Sequence, residues 1–219
     1  MAALTALKIG MIGVGMVGGP LSYLWSQAGH QVFVSSRHPE NLTAPPGGQK
    51  GRVIDAVNFA DVILLAIPFS KVPYLSDEVK AAMAGKVVLD ATNAWKGREG
   101  PAAAEAHASG LGSGVWVAGH LPKTAKVVKA FNTWPFFQYQ RYAALPPGQV
   151  PGVPLAGDDA EAVRVAARLV KDARMEPVVV DGGLKATVQF DAEGPLGPPC
   201  LLTADQMTAA LGAQQQDEL

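Results

Sequence analysis

Six residues near the start of the chain have the types and spacing needed to hold a phosphate. Gly13-Val14-Gly15-Met16-Val17-Gly18 reads GxGxxG, directly after an apolar run from Lys8 to Ile12 and directly before a helical pattern. In that setting the first glycine permits a tight turn and the second lets the backbone approach a pyrophosphate. The third lets the helix lie close on the strand, so that the phosphates meet the positive helix end. Without a ligand, the same residues would make only a glycine-rich strand-to-helix turn. The next apolar run ends Val34-Ser35-Ser36-Arg37-His38. An NAD binder places Asp or Glu at this point to accept hydrogen bonds from the ribose, and an acid there repels a 2′-phosphate. A hydroxyl and a guanidinium donate to that phosphate instead, so Ser36 and Arg37 favour NADP(H) over NAD(H). Arg37 could alternatively be a solvated surface arginine, and His38 is either a phosphate neighbour or plain surface.

Ligands of such folds lie outside the carboxyl ends of the strands, which brings further residues into view. Ala66-Ile67-Pro68 and Asp90-Ala91-Thr92-Asn93 end two more apolar runs, so Ala66, Pro68 and Asn93 are expected to border the cofactor crevice. Asn93 has the alternative of tying down its own loop. A fifth run leads into Lys129-Ala130-Phe131-Asn132-Thr133-Trp134-Pro135. Polar groups beside aromatic ones suit a planar redox ring, which makes Asn132, Thr133, Trp134 and Pro135 the acceptor-site candidates. Phe136 joins the cofactor set, while Phe137, Tyr139 and Tyr142 at nearly helical spacing read equally well as core. Hydride transfer between two rings needs no nucleophile or metal, only close placement with water excluded. The four histidines show no metal-ligand spacing, and no metal is expected. His30, His107 and His120 are expected to be solvent-facing or capping. Asp158-Asp159 is expected to cap a helix.

These residues need elements to position them. Valine- and isoleucine-rich runs without alternation, at Lys8 to Ile12, Gln31 to Ser35, Asp61 to Ile67, Lys86 to Asp90, Lys126 to Phe131, Val153 to Ala156 and Glu176 to Val180, read as strands buried on both faces. Helical stretches separate them, at about Val17 to Ala28, Ser70 to Ala84, Pro101 to Ser109, Gly114 to Leu121, Pro135 to Ala144 and Asp158 to Ala173. The alternation predicts an α/β, NAD(P)-binding Rossmann fold, a doubly wound parallel sheet with a small C-terminal α/β extension. Asn41 to Arg52, with Pro45-Pro46-Gly47-Gly48, predicts a truncated second crossover. The loop Leu145 to Gly152 predicts a seam between residues 1–150 and 151–219, the second part too short for a robust core of its own. Thr203 and Gln206 offer a capping box for a last helix ending near Gly212, before a frayed end.

Length and composition narrow the function. The 219 residues are 48% apolar and 17% charged, with 18 basic and 19 acidic side chains giving a net charge of −1. That predicts one sizeable folded unit without the basic footprint of a nucleic-acid binder or of a protein held on an acidic membrane. The single cysteine, Cys200, cannot form an internal disulfide, and no apolar run is long enough to span a bilayer. With no leader-like N-terminus, the expectation is a soluble cytoplasmic protein.

Taken together, Gly13 to Gly18, Ser36-Arg37, Ile67-Pro68, Thr133-Trp134-Pro135 and Ala156-Gly157-Asp158-Asp159 resemble the coenzyme F420-dependent NADP oxidoreductase family over roughly residues 8 to 182. The resemblance implies hydride exchange between NADPH and a deazaflavin, in a homodimer whose C-terminal elements meet. It places Val14, Gly15, Met16 and Val17 on the pyrophosphate, Ser36 and Arg37 on the 2′-phosphate, and Asn93 and Phe136 near the nicotinamide. Two features depart from the pattern. Asn132 stands where the family carries histidine, and Lys129-Ala130-Phe131-Asn132 looks more like the cytosolic domain of six-transmembrane metalloreductases, which reduce a flavin. FMN and FAD therefore stand beside F420 as acceptors. β-Hydroxyacid dehydrogenases and pyrroline carboxylate reductases share the opening turn, but both need a larger helical second domain. From a different class, a non-catalytic NADP(H)-binding redox sensor or partner-binding protein would keep the glycine turn and Ser36-Arg37.

Overall fold

The computed structural model describes residues 5–134, 141, 144–146 and 148–217. Among them eight strands run in chain order as β1 Lys8–Ile12, β2 Gln31–Ser35, β3 Gln49–Gly51, β4 Val62–Leu65, β5 Val87–Asp90, β6 Lys126–Lys129, β7 Gly152–Gly157 and β8 Glu176–Val179. They form one sheet in the order β3-β2-β1-β4-β5-β6-β7-β8. The first six are mutually parallel in the order of a Rossmann-type dinucleotide fold. β7 is antiparallel to β6, with Val128 opposite Gly157, and β8 returns parallel to β7.

Seven helices among the described residues cover the faces: α1 Gly18–Gln27, α2 Val53–Phe59, α3 Asp77–Ala81, α4 Lys96–Ser109, α5 Ser113–Gly119, α6 Ala160–Asp172 and α7 Ala204–Asp217. Successive strand residues divide between the two sides. Ile9, Met11, Val62 and Leu64 pack with Leu21, Leu24 and Trp25 of α1 and Ala166, Leu169 and Val170 of α6. Ile12, Ile63 and Leu65 pack with Val57 of α2, Ala103 and Ala106 of α4 and Val117 of α5. Burial on both faces is why these strands read as unbroken apolar runs. A third cluster, with Val178, Phe190, Leu196 and Met207, closes the C-terminal part over β7 and β8.

Several elements differ from the sequence reading. The polar strand β3 and the helix α2 have no counterpart there. Gln49-Lys50-Gly51 is an exposed edge strand with no apolar residue to mark it, and α2 is only seven residues long. The stretch expected as one helix from Ser70 to Ala84 is a 3-10 segment, Phe69–Tyr74, followed by α3. Pro73 removes an amide donor in that stretch, and Ser76 caps α3 through the Val79 amide at 3.3 Å. α4 begins five residues before the expected Pro101 and bends at Gly100, whose φ is +57°. The strand after the Leu145–Gly152 loop is antiparallel rather than parallel, an arrangement common for an edge addition to a parallel sheet. Thr203 and Gln206 do form the reciprocal capping box, at 3.0 and 3.4 Å, but α7 continues past Gly212 to Asp217. The helix expected from Pro135 to Ala144 falls mostly outside the described residues.

One polar interaction joins the central strands at their carboxyl ends. Asp90 and Lys129 face each other across β5 and β6, both fully buried, with Lys129 Nζ 3.0 Å from Asp90 Oδ2. Lys129 also donates to the Thr92 carbonyl at 2.7 Å, and the Thr92 amide and hydroxyl donate to Asp90 Oδ1 at 2.9 and 2.6 Å. A buried charge left without its partner is costly, so Lys129→Met is expected to destabilise the protein by about 3 to 5 kcal/mol in chemical denaturation. A loss below about 1 kcal/mol would show that water or another group replaces the ammonium.

Candidate dinucleotide site

The glycine turn is built as close packing requires. Gly13 has φ +95°, and a Cβ there would stand 2.4 Å from the Ala66 carbonyl oxygen. A Cβ on Gly18 would stand 2.2 Å from the Gly13 carbonyl oxygen, so a side chain at this point would push α1 off the turn. Gly15 is different in kind, because a Cβ there meets nothing within 4 Å. Val14 and Val17 are half-buried or exposed beside it, and Met16 is 64% exposed. The first amides of a helix have no acceptors within it, and here Val17 provides no side-chain cap and the first turn carries no acid. The start of α1 is thus an open, uncompensated positive end beside free space. These features fit a pyrophosphate held by the backbone of Val14 to Val17.

Next to this turn, β2 delivers Ser36, Arg37 and His38. The Ser36 hydroxyl accepts the His38 amide at 3.0 Å, which curls the chain as it leaves the sheet. Arg37 is exposed and pairs with no described residue, whereas His38 lies 3.3 Å from Glu40. Below the turn, the buried Ser35 hydroxyl donates to the Met11 carbonyl at 2.6 Å and holds β2 to β1. On the other side, the Ala66 amide donates to the Ile12 carbonyl at 2.9 Å, and Pro68 is exposed at the end of β4. The turn, Ser36-Arg37 and Pro68 therefore share one edge of the sheet.

The residues expected at the acceptor are placed differently. Asn132, Thr133 and Trp134 follow β6 at that same edge, but all three are buried. Trp134 packs in the α1–α6 side of the core and donates its indole N–H to the Gly152 carbonyl at 3.0 Å, so it presents no open aromatic wall. Asn93 donates to the Asn132 carbonyl at 2.8 Å, and the Asn132 amide donates to Asn93 Oδ1 at 3.3 Å and to the Phe190 carbonyl at 2.8 Å. Asn93 thus does tie down its loop. The Asn132 Oδ1 and Thr133 Oγ1 atoms are buried without a hydrogen-bond partner. Phe131, just before them, has φ +64°, a conformation that a bulky residue holds only under tertiary constraint; its ring meets Trp25 edge-on at 5.6 Å. Pro135 and Phe136 lie outside the described residues, as do Phe137, Tyr139 and Tyr142.

Comparison with known proteins bears on this geometry. Residues 8–94 match the family model described as NADP oxidoreductase coenzyme F420-dependent. The matched segment is less than half of the chain. It runs from β1 through Asn93 and takes in both the glycine turn and Ser36-Arg37. A structure from Arthrobacter sp. FB24, described as an F420-dependent NADP-reductase, superposes with TM-score 0.67 at 21% identity, covering 82% of this chain and 86% of that one. A hypothetical protein of Sinorhizobium meliloti gives TM-score 0.74 at 28% identity, covering 90% and 96%. Pyrroline carboxylate reductase of Plasmodium falciparum, solved with NADP bound, shares the fold at TM-score 0.57 and 11% identity; the alignment covers 82% of this chain and 59% of that protein. No curated protein sequence matches the chain.

The sequence reading overlooked the groups that hold the site rather than line it. Asp90 and Lys129 could have been found as opposite charges ending two apolar runs. Asp191 carried no local signal. Its carboxylate accepts the Ser113 amide at 2.6 Å and the Ser113 hydroxyl at 2.5 Å, fastening the C-terminal part to the start of α5. The histidines are structural: buried His30 accepts the Leu7 amide at 3.2 Å and meets Asp172 at 2.9 Å, a correction to its solvent-facing or capping assignment. His107 reaches the Ala94 carbonyl and His120 the Trp116 carbonyl, at 2.8 and 2.9 Å. Asp159 caps α6 through the Ala162 amide at 2.8 Å, and that hydrogen bond together with Lys126 holds its carboxyl below the usual range. Among the described residues no helix is long and apolar enough to cross a membrane.

The turn makes a separable prediction. Gly18→Ala is expected to cost about 1 to 3 kcal/mol of stability through overpacking, while Gly15→Ala stays within about 0.5 kcal/mol of the parent. Thermal melts of the two variants check this, and equal losses would contradict the packing described.

Proposed function

We propose that the protein binds NADP(H) at the β1–α1 turn and exchanges a hydride between the nicotinamide and a planar ring acceptor, coenzyme F420 or a flavin. The observation that carries this reading is the pairing of an open, uncapped helix start near Gly15 with Arg37, which follows the neighbouring strand and has no partner among the described residues. One place suits a pyrophosphate, the other a second phosphate on the adenosine ribose. The family match over residues 8–94 and the family's description support the same donor. NADPH supplies the hydride chemistry when bound. The chain's own residues bind and orient: Val14 to Val17 through backbone amides, Ser36 and Arg37 through side-chain donors, and Ala66, Pro68 and Asn93 as the border toward the nicotinamide. Asn132 and Thr133 bring buried, unsatisfied oxygen atoms to the acceptor side of that border. A homodimer meeting through C-terminal elements belongs to the same reading, supported by the position of β8 at the end of the sheet with Val179 half exposed.

A second reading, a non-catalytic NADP(H)-binding sensor, is favoured by one observation. Asn132, Thr133 and Trp134 are buried, so none of them presents an open surface on which an acceptor ring could stack.

Oxidation of NADPH followed by absorbance, with F420, FMN and FAD in parallel and NADH as control, separates the two. Turnover with one ring acceptor and a preference for NADPH is the expected result; tight NADPH binding without turnover on any of them selects the sensor. In the same assay Arg37→Ala is expected to weaken NADPH binding by about 1.5 to 3 kcal/mol, the scale of a charged hydrogen bond, and to spare NADH. Equal losses for both cofactors would remove Arg37 from the 2′-phosphate.

A further inference from the structure

The edge strand β3 brings a second arginine to the place assigned to the 2′-phosphate. β2 and β3 are parallel and in register, with Ser35 opposite Gly51, so the chain leaves both strands at the same level and in the same direction. Ser36 and Arg37 follow one strand and Arg52 follows the other. The Arg52 side chain is 73% exposed and forms a two-point pair with Asp55 in the first turn of α2, Nε to Oδ2 at 3.0 Å and Nη2 to Oδ1 at 2.9 Å. A guanidinium fork that fits a carboxylate this way also fits a phosphate. Of the other charged groups of this corner, Lys50 donates to the Leu42 carbonyl at 2.6 Å and His38 faces Glu40, while Glu78 of α3 adds a further negative charge acting on Arg52. Arg37, without a partner among the described residues, and Arg52, hydrogen-bonded to one carboxylate, Asp55, are the two forks here able to turn to an anion.

We infer that Arg52 is a second specificity-determining residue for the 2′-phosphate and that Asp55 competes with that phosphate for its guanidinium. The inference rests on the NADP(H) reading of Ser36 and Arg37. It divides the labour at this corner. Arg37 supplies a contact open to the phosphate, and Arg52 supplies one whose strength Asp55 sets, since each phosphate bond made by Arg52 replaces a carboxylate bond already present. Removing Asp55 therefore frees a donor and also withdraws a negative charge from the neighbourhood of the anion.

The test is the ratio of dissociation constants of the intact protein for 5′-AMP and 2′,5′-ADP, which differ only in the 2′-phosphate, measured by calorimetry at low salt. Arg52→Gln is expected to lower the preference for 2′,5′-ADP about three- to tenfold, the scale of an exposed charged contact. Asp55→Asn is expected to raise it by a similar factor, with the gain shrinking as salt is added. The carboxylate variant moves the ratio in the opposite direction from the arginine variant, which loss of a merely structural pair does not do. It also keeps the inference testable if Arg52→Gln fails to fold. An unchanged ratio in Asp55→Asn and in any folded Arg52→Gln, with a reduced ratio in Arg37→Ala, overturns the role of Arg52 and leaves the NADP(H) reading standing. An unchanged ratio in Arg37→Ala as well overturns both.

Discussion

The carboxyl edge of the sheet is organised by the buried pair of Asp90 and Lys129. Two charges withdrawn from water are tolerated only when nearly every donor and acceptor is engaged, and here Asp90 accepts from Lys129 and twice from Thr92 while Lys129 donates back to the Thr92 carbonyl. The consequence is directional. β5 cannot leave the sheet without turning through Thr92 to Asn93, and β6 cannot leave without passing Lys129 to Asn132. The two asparagines then meet and close the link between the loops. The strained φ of Phe131 lies inside this bracket, where packing against Trp25 and the charges two residues before it hold the chain in place.

This bracket also connects the C-terminal part to the site. Asn132 donates to Phe190, the Cys200 amide donates to the Thr133 carbonyl at 3.0 Å, and Asp191 holds the start of α5. The segment after β8 thus packs on the acceptor-side loop through backbone groups as well as through its own apolar cluster. A change in that segment reaches Asn132 through hydrogen bonds, with no need for a direct contact between the segment and the cofactor turn.

The parts of the fold legible in the sequence were those where local chemistry and tertiary demand coincide. The glycine turn is readable because tight turning at Gly13 and close packing at Gly18 both require glycine, and β1, β4 and β5 because burial on both faces leaves mostly apolar residues. β3 and α2 were not readable, since a three-residue polar edge strand has no periodicity and a seven-residue helix has little. At the proposed site the glycine turn was legible in residue types, whereas the burial of Trp134 was not. An aromatic residue after a strand has the same local pattern whether it lines a crevice or fills a core; only the arrival of α6 and the Gly152 carbonyl decides between the two.

The two ends of the proposed dinucleotide site therefore differ in how far sequence can vary without losing them. The pyrophosphate end is made of backbone amides and a helix end, so its constraint is on the residues allowed at Gly13 and Gly18, and it serves every dinucleotide alike. On that reading discrimination comes from side chains outside the turn, just after β2 and β3, where Arg37 and Arg52 are exposed and bury nothing the core depends on. Such residues can change with little cost to folding. The residues proposed at the acceptor side have the opposite character: Asn132, Thr133 and Trp134 sit in a bracket of buried hydrogen bonds, and a side chain altered there changes stability first. On the proposed reading, substitutions at Arg37 and Arg52 leave the fold in place, whereas a substitution at Asn132 disturbs the hydrogen bond that ties it to Phe190 of the C-terminal part.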